Sequence, residues 1–341
     1  MIFLKKNLII IMIVQPYIYK IMKYNFCTLF DRNYLFRGLA LHGSLLKTCD
    51  DFKLWILCVD DITLEMLKKI NLPKVELISL EELEDKELLT AKKTRTAEEY
   101  CWTCTPAIIS YILNKHPEIE LLSYLDADLY FFSSPQPIFE EFGENSIMII
   151  PHRFPPEKKS MEKTKGIYNV SMITFRNNAN GVKCLDWWRE KCLDWCYHYY
   201  DNGRLGDQLY LNDWPERFKG VHVLKAKGAN LAPWNISQYK ISRSGQNIYV
   251  NNQPLIFYHF HSLNIYSELK FEISKFAYKI SLKNKKIIYK PYLEQLKCVI
   301  QKIRLTDNNF RYGFSVRQDA KNKIRKIIKK LLNYHRPCRW N

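Results

Sequence analysis

Beyond residue 23 the chain settles into short apolar runs separated by polar, helix-periodic segments. Tyr24 to Phe30 reads as a first strand, Phe52 to Val59 (FKLWILCV) as a second and Val75 to Leu80 as a third. Thr63 to Asn71 reads as a helix with Thr63 as its cap and Glu65, Lys68 and Lys69 outside. Glu81 to Leu89 reads as a short acidic helix. Lys92 to Thr96 (KKTRT) is a basic link. After it Thr105 to Leu113 reads as an apolar helix whose Pro106 suits a first turn, where no N–H is needed. Ile147 to Ile150 is a further buried strand, and Pro151 to Lys165 a polar, proline-bearing loop long enough to act as a lid. Tyr168 to Phe175 reads as a strand, Val182 to Tyr199 as an aromatic-rich helix and Gly206 to Asn212 as the start of another. Leu255 to Phe260 (LIFYHF) is an apolar strand that runs into His259 and His261. Alternating β and α segments predict an α/β domain on a mostly parallel sheet.

One run departs from this pattern. Leu121 to Phe132 (LLSYLDADLYFF) places Asp126, Ala127 and Asp128 between two apolar halves. Carboxylates are expensive to bury unless paired or metal-bound, so a strand ending here would present both acids at its C-terminal mouth. Open α/β sheets bind ligands at that edge. Oxygen ligands suit magnesium and manganese, and such an ion can bridge a carboxylate pair to nucleotide phosphates. The competing reading is a turn carrying two solvated acids.

Composition adds an asymmetry. A chain of 341 residues with 47% hydrophobic content can build a large core, so one α/β domain with an appendage is expected rather than two equal domains. The net charge of +17 sits at one end: residues 270–341 hold 20 Lys/Arg against 4 Asp/Glu, and the remainder 32 against 31. A neutral body with a basic tail points to an anionic surface for the tail, and no nucleic-acid partner is expected. Ile324, Ile327, Ile328, Leu331 and Leu332 share one helical stripe among Lys321, Lys323, Arg325 and Lys326. Such a helix can lie on an anionic membrane face, or dock on its own domain with a solvated basic back. Leu8 to Val14 (LIIIMIV) is too short to span a bilayer, no small-residue cleavage site follows it, and Met22 could equally be the start. Ten irregularly spaced cysteines predict reduced core thiols and a reducing compartment. The same reading covers Cys101 and Cys104, which lack a second pair, and Cys192 and Cys196, taken to share a helix face.

Several motifs stand in a familiar order: Thr28-Leu29 through Tyr34, Gly38, Gly43-Ser44-Leu45, Cys101-Trp102, Tyr124 to Asp128, Tyr168-Asn169, Gly206-Asp207-Gln208 with Asn212, and the late His259. On these residues the chain, over roughly Tyr24 to Leu263, resembles the glycosyltransferases of the GT-A fold. It is most similar to family 8, the type of glycogenin and bacterial lipooligosaccharide galactosyltransferases. The resemblance implies a Rossmann-like α/β nucleotide-diphospho-sugar transferase fold with a mostly parallel mixed sheet. The division expected is a leader over residues 1–22, a GT-A catalytic domain over 23–268 and a basic helical C-terminal extension over 269–341.

The resemblance also implies roles. Thr28, Asp31 and Tyr34 would line a uridine pocket, with Tyr34 on the base. Asp126, Asp128 and His259, or His261 in its place, would hold a divalent cation, Mn2+ or Mg2+, the imidazole fitting manganese better than calcium. Asn169, Asp207 and Gln208 would meet the donor sugar, and Arg95 the diphosphate, since a guanidinium fork suits phosphate oxygens. The implied reaction moves a hexose from a UDP-sugar to a glycan or lipid-linked acceptor with retention, in lipopolysaccharide or capsule biosynthesis. Asp207 would then stabilise an oxocarbenium-like centre, unless it is only a helix cap. The tail would hold the enzyme in the cytoplasm as a peripheral protein on the inner face of the membrane.

Two departures stand out. The segment after His259 lacks the Gly and Lys-Pro-Trp of the family, although Pro233-Trp234 occurs earlier, and Ser171 stands where many members have glycine. Two other classes compete. A haloacid-dehalogenase phosphatase also ends a strand on Asp-x-Asp, but near its first strand and running on into Thr or Val, whereas Leu129-Tyr130 follows here. A non-catalytic, membrane-associated basic adaptor on a degenerate nucleotide-binding scaffold would be indifferent to metal and nucleotide.

Overall fold

The computed structural model describes residues 24–273, 278 and 280–316. The leader over residues 1–22 and the amphipathic stripe from Ile324 to Leu332 lie outside the described residues. Eight strands organise the body: β1 (Tyr24–Phe30), β2 (Phe52–Cys58), β3 (Val75–Ser79), β4 (Leu121–Leu125), β5 (Leu129–Phe131), β6 (Ile147–Pro151), β7 (Tyr168–Arg176) and β8 (Val221–Val223). Seven of them form one sheet in the order β3-β2-β1-β4-β7-β6-β8, with β7 alone running against the rest. This is the mostly parallel mixed sheet of an α/β protein.

The strands are apolar on both faces because both faces are covered. Phe26, Leu54 and Ile56 point into one core, and their neighbours Cys27, Trp55 and Leu57 into the other. The helix α1 (Leu35–Thr48) lies on the first side, backed by a later helix, Lys290–Thr306, which buries Tyr292, Leu296 and Ile300. A Cβ on Gly38 would stand 2.3 Å from the Phe30 ring, so only glycine lets α1 lie this close to β1. The opposite core is covered by helices Ala97–Lys115 and Ala179–Asp194.

Several local expectations are corrected. The first helix after β2 spans Asp61–Ile70 and is capped by Asp60, which accepts from the Thr63 N–H; Thr63 is a buried residue of the first turn. The acidic segment after β3 is two short helices, Leu80–Leu83 and Lys86–Lys92, each with its own cap at Ser79 and Asp85. Pro106 is inside a helix rather than in its first turn. That helix starts at Ala97 because Thr96 and Glu99 form a reciprocal capping box, and the burial of Tyr100, Cys104, Ala107 and Ile108 holds it through the proline. The aromatic-rich helix ends at Asp194, so Tyr199 and Cys196 lie beyond it and Cys192 and Cys196 share no helix face. Both thiols are nonetheless buried, and the nine described cysteines are all free. Gly206 to Asn212 forms turns and a short 3-10 segment, Leu209–Asp213. Short strands over residues 241–254, unforeseen in the sequence, form a separate small sheet.

Candidate functional site

The acid pair owes its position to a change of direction. β4 stops at Leu125, the Leu129 N–H reaches back 3.1 Å to the Asp126 carbonyl, and the chain leaves as β5. β5 pairs antiparallel with Phe257–His259, His259 opposite Leu129. That pairing brings the imidazole to the acids: His259 Nε2 is 3.1 Å from Asp128 Oδ1 and 3.8 Å from Asp126 Oδ2. One ligand atom from each of Asp126, Asp128 and His259 lies within 4.8 Å of the other two. The His259 N–H donates to the Leu231 carbonyl at 2.8 Å, and Trp234 meets the ring edge-on at 5.2 Å. Trp234 also packs on His261 at 5.7 Å, so the displaced Pro-Trp of the sequence supports both histidines from the other side.

Burial raises the Asp126 carboxyl, although His259 pulls it down. For Asp128 burial acts in the same direction but the charge and hydrogen bond of His259 outweigh it, and the carboxyl is lowered. Burial works against His259 protonation, yet Asp128 and then Asp126 raise it above the ordinary imidazole range. Two carboxylates, Asp128 buried and Asp126 half-buried, and one imidazole leave excess negative charge without a fixed cation among them. The donor set fits a hard to borderline divalent ion such as Mg2+ or Mn2+. His259 Nδ1 is buried and has no hydrogen-bond partner among the described residues, consistent with Nε2 as the atom that faces a ligand.

Asp207 and Gln208 come from the loop after the Ala179–Asp194 helix, and Asp207 lies near enough to Asp126 to feel its charge. Burial and the charge of Asp126 raise the Asp207 carboxyl to about 8, against its own backbone N–H and the Thr105 hydroxyl. Its backbone carbonyl accepts from Trp188 Nε1 at 2.8 Å, and it caps no helix. Gln208 Oε1 accepts from Asn169 Nδ2 at 2.8 Å and from the Val170 N–H at 3.3 Å, while its Nε2 donates to the Lys165 carbonyl at 2.7 Å. Asn169 stands at the start of the reversed β7 and also contacts His152 Nε2 at 3.4 Å. His152 is buried, and its pKa is lowered to about 3 by that burial, then by His259. The Ser171 hydroxyl donates to Asn230 Oδ1 at 3.1 Å.

The other predicted residues divide. Thr28 is fully buried on β1, its Oγ1 without a partner among the described residues. Asp31 accepts from the N–H groups of Asn33 and Tyr34 at 3.0 and 3.2 Å and so shapes the turn that exposes Tyr34. Arg37, unremarked in the sequence, lies 4.6 Å from the Tyr34 ring centroid and lowers the Asp128 carboxyl. A cation inside an apolar helix gave no sequence signal for this. Arg95 is turned to other partners: its guanidinium donates to the Leu193 and Asp194 carbonyls at 3.2 and 3.3 Å and covers Tyr197 at 3.9 Å. Those carbonyls end the Ala179–Asp194 helix, whose negative dipole end attracts a cation.

No family model matches the chain. It is 37% identical over 293 residues to "Uncharacterized protein YfnD" of Bacillus subtilis, covering 85% of this chain and 94% of that one. To "Uncharacterized protein YfnF" of the same organism it is 32% identical over 303 residues, 87% and 99% of the two chains. Among solved structures, the galactosyltransferase LgtC with donor and acceptor sugar analogs gives a TM-score of 0.49 at 14% identity, over 80% of this chain and 95% of that one. Mouse xyloside xylosyltransferase 1 gives 0.46 at 17% identity, over 71% and 98%. The fold rests on the strand order and not on these values. A mixed sheet with one reversed strand, beside a strand that ends in Asp-Ala-Asp, is the GT-A arrangement that the motifs implied. With this fold and more than 30% identity across most of both relatives, the protein belongs to the family of YfnD and YfnF.

Proposed function

We propose that this protein is a metal-dependent glycosyltransferase of the family 8 type, moving a hexose from a UDP-sugar to a glycan or lipid-linked acceptor with retention, in cell-surface polysaccharide synthesis. The observation that carries the proposal is the Asp126-Asp128-His259 cluster, Asp128 and His259 buried and Asp126 half-buried, beside Asp207. An adaptor has no use for three metal-ligand groups held this close in a low-dielectric site.

Asp126, Asp128 and His259 would hold a divalent cation, which when bound would supply positive charge to a diphosphate leaving group. The chain's own groups orient the sugar. With Gln208 Oε1 occupied by Asn169 and Val170, and one Nε2 hydrogen given to Lys165, its remaining amide hydrogen is free for a sugar hydroxyl. Asn169 is held in turn by Gln208 and His152, so neither amide needs to be ordered when substrate arrives. Burial, then the charge of Asp126, raises the Asp207 carboxyl to about 8, which favours a proton there for a hydrogen bond to the sugar; a cation at Asp126 would offset the second cause. Tyr34, exposed, would offer a ring face to the uracil, with the buried Thr28 on β1 and Asp31 in the turn before it as its nearest predicted companions. The loop after β6 is closed at its base, where the His152 N–H donates to the Ile167 carbonyl at 2.9 Å. Asn212 Oδ1 holds its far end through the Ile167 N–H at 2.8 Å.

Calorimetric titration of UDP in the presence of manganese, then of EDTA, tests the site. Metal-dependent binding that is lost in Asp128→Ala is expected, with the far-UV spectrum unchanged; UDP binding indifferent to EDTA removes the metal role. Among the described residues no helix is long and apolar enough to cross a membrane. The basic tail would keep the enzyme peripheral on the cytoplasmic membrane face, the reading favoured by its 20 Lys/Arg against 4 Asp/Glu. A chain ending at Tyr312 that still bound anionic liposomes as well as the full chain would refute that attachment.

A further inference from the structure

Residues 195–205 join the Ala179–Asp194 helix to the Asp207 loop and carry an aromatic cluster that the chemistry above leaves unused. Trp195 meets Tyr197 edge-on at 5.4 Å and Tyr199 at 5.6 Å, while Tyr197 and Tyr199 stack at 5.5 Å and 25°. Arg95 covers Tyr197 at 3.9 Å and Arg204 covers Trp195 at 4.7 Å. The segment is fixed part-way along and at its tip. The His198 N–H donates to Glu99 Oε1 at 2.9 Å. At the tip, Asp201 and Arg204 exchange backbone hydrogen bonds of 3.0 and 2.8 Å around Asn202-Gly203, both left-handed, which makes a tight hairpin turn. The two outermost rings, Tyr199 and Tyr200, remain 54% and 51% exposed.

A ring held as Tyr199 is, against Trp195 and Tyr197, offers a flat apolar face and a polar rim with little entropy left to lose on binding, and Tyr200 follows it in the chain. A sugar has the complementary surface, an apolar C–H face edged by hydroxyls. The two arginines are tied to carbonyls, to Asp201 and to the rings themselves, so the hairpin presents aromatic rather than cationic surface. This favours a neutral saccharide over a phosphate-rich partner. The hairpin is also continuous with the site. The Gly206 N–H donates to the Tyr197 carbonyl at 2.8 Å, and Asp207 follows directly. Tyr199 is two residues from that junction, at most about 7 Å of chain and roughly one sugar unit.

We propose that Tyr199 and Tyr200 form the docking platform for the saccharide acceptor, stacking on a sugar unit next to the one that receives the transferred hexose. This rests on the transferase reading above. The arginine expected at the diphosphate thereby has another use: Arg95 braces Tyr197 from beneath the platform.

The test uses the full chain with saturating UDP and manganese, on a printed array of mono- to hexasaccharides. Wild type, the Tyr199→Ala/Tyr200→Ala double variant and the Tyr199→Phe/Tyr200→Phe double variant are compared. Wild type is expected to retain a defined subset of saccharides, the alanine variant to bind it at least about tenfold more weakly and the phenylalanine variant within about threefold, with manganese-dependent UDP affinity equal in all three. Should the alanine variant lose UDP binding, Tyr200→Ser alone, at an exposed tip position, replaces it with the same expected loss. Unchanged saccharide binding by the alanine or serine variant overturns the platform, as does a wild type that binds UDP but no saccharide. A wild type that binds neither overturns the transferase reading together with the platform.

Discussion

Manganese affinity is expected to fall steeply as the pH drops below neutral. The ion takes the site with both carboxylates ionised and a free lone pair on His259 Nε2, so every proton held there by the metal-free protein must leave. Asp128 is lowered and is ionised across the range of interest. Burial raises Asp126 to about 6, and His259 is raised above its ordinary value by Asp128 and Asp126 in spite of its burial. At about pH 5 the Asp126 carboxyl is then ionised in roughly one molecule in ten, and His259 is neutral in fewer than the roughly three in a hundred of an unperturbed imidazole. The two groups share a neighbourhood and do not titrate independently, so the product is best read as a loss of at least about a hundredfold relative to about pH 8. The sign follows directly: affinity rises with pH through the Asp126 and His259 transitions and levels off above them. Calorimetric titration of MnCl2 at about pH 5.5, 6.5 and 7.5, in two buffers of different ionisation enthalpy, yields both affinity and protons released. Between one and two protons are expected at the acid end, falling by about pH 7.5 towards the smaller release from Asp207, whose carboxyl a cation at Asp126 would lower. Affinity constant within about threefold across this range, or no proton release at about pH 5.5, refutes the assignment of these three groups as ligands.

Two further perturbations test the frame around the site. Gly206→Ala places a Cβ 3.2 Å from the Trp102 ring at a backbone φ of +54°, and is expected to cost about 1–2 kcal/mol in urea unfolding; a change below about 0.3 kcal/mol refutes the strain. Arg153→Met takes the guanidinium from the Ala229, Leu224 and Ala226 carbonyls, bonded at 2.6, 2.9 and 3.1 Å, and is expected to cost about 2–3 kcal/mol and to speed proteolysis between residues 156 and 165, whereas unchanged cleavage would show that the loop is held elsewhere.

Much of this frame could be read from the chain because it depends on local pattern. The first strand has the bounds that its apolar run gave, and the acids sit where a strand between two apolar halves had to end. The late histidine was legible as part of an apolar strand, and its pairing with β5 explains why it arrives at the acids. What escaped depends on partners far away in sequence. Pro106 looked like a helix start because the polar turns before it show no apolar run, although Thr96 and Glu99 carried the capping signal. Arg95 has the right chemistry for a phosphate, but its direction is set by a helix end about a hundred residues later. The small strands over residues 241–254 pair only among themselves and have too little alternation to announce them.

The single reversed strand has a consequence for how such a chain can diversify. In an all-parallel sheet each crossover leaves one edge and returns at the opposite one, so a longer connection must reroute a whole helix. Because β7 runs the other way, the connection from Pro151 to Tyr168 begins and ends on the same edge, the one that carries Asp126 and Asn169. Residues can be inserted or exchanged there without shifting the register of any strand. Asp126 and Asp128 are set by β4 and β5 and not by this connection, so its middle, residues 156–165, where no residue is buried, can change while the acid pair stays in place.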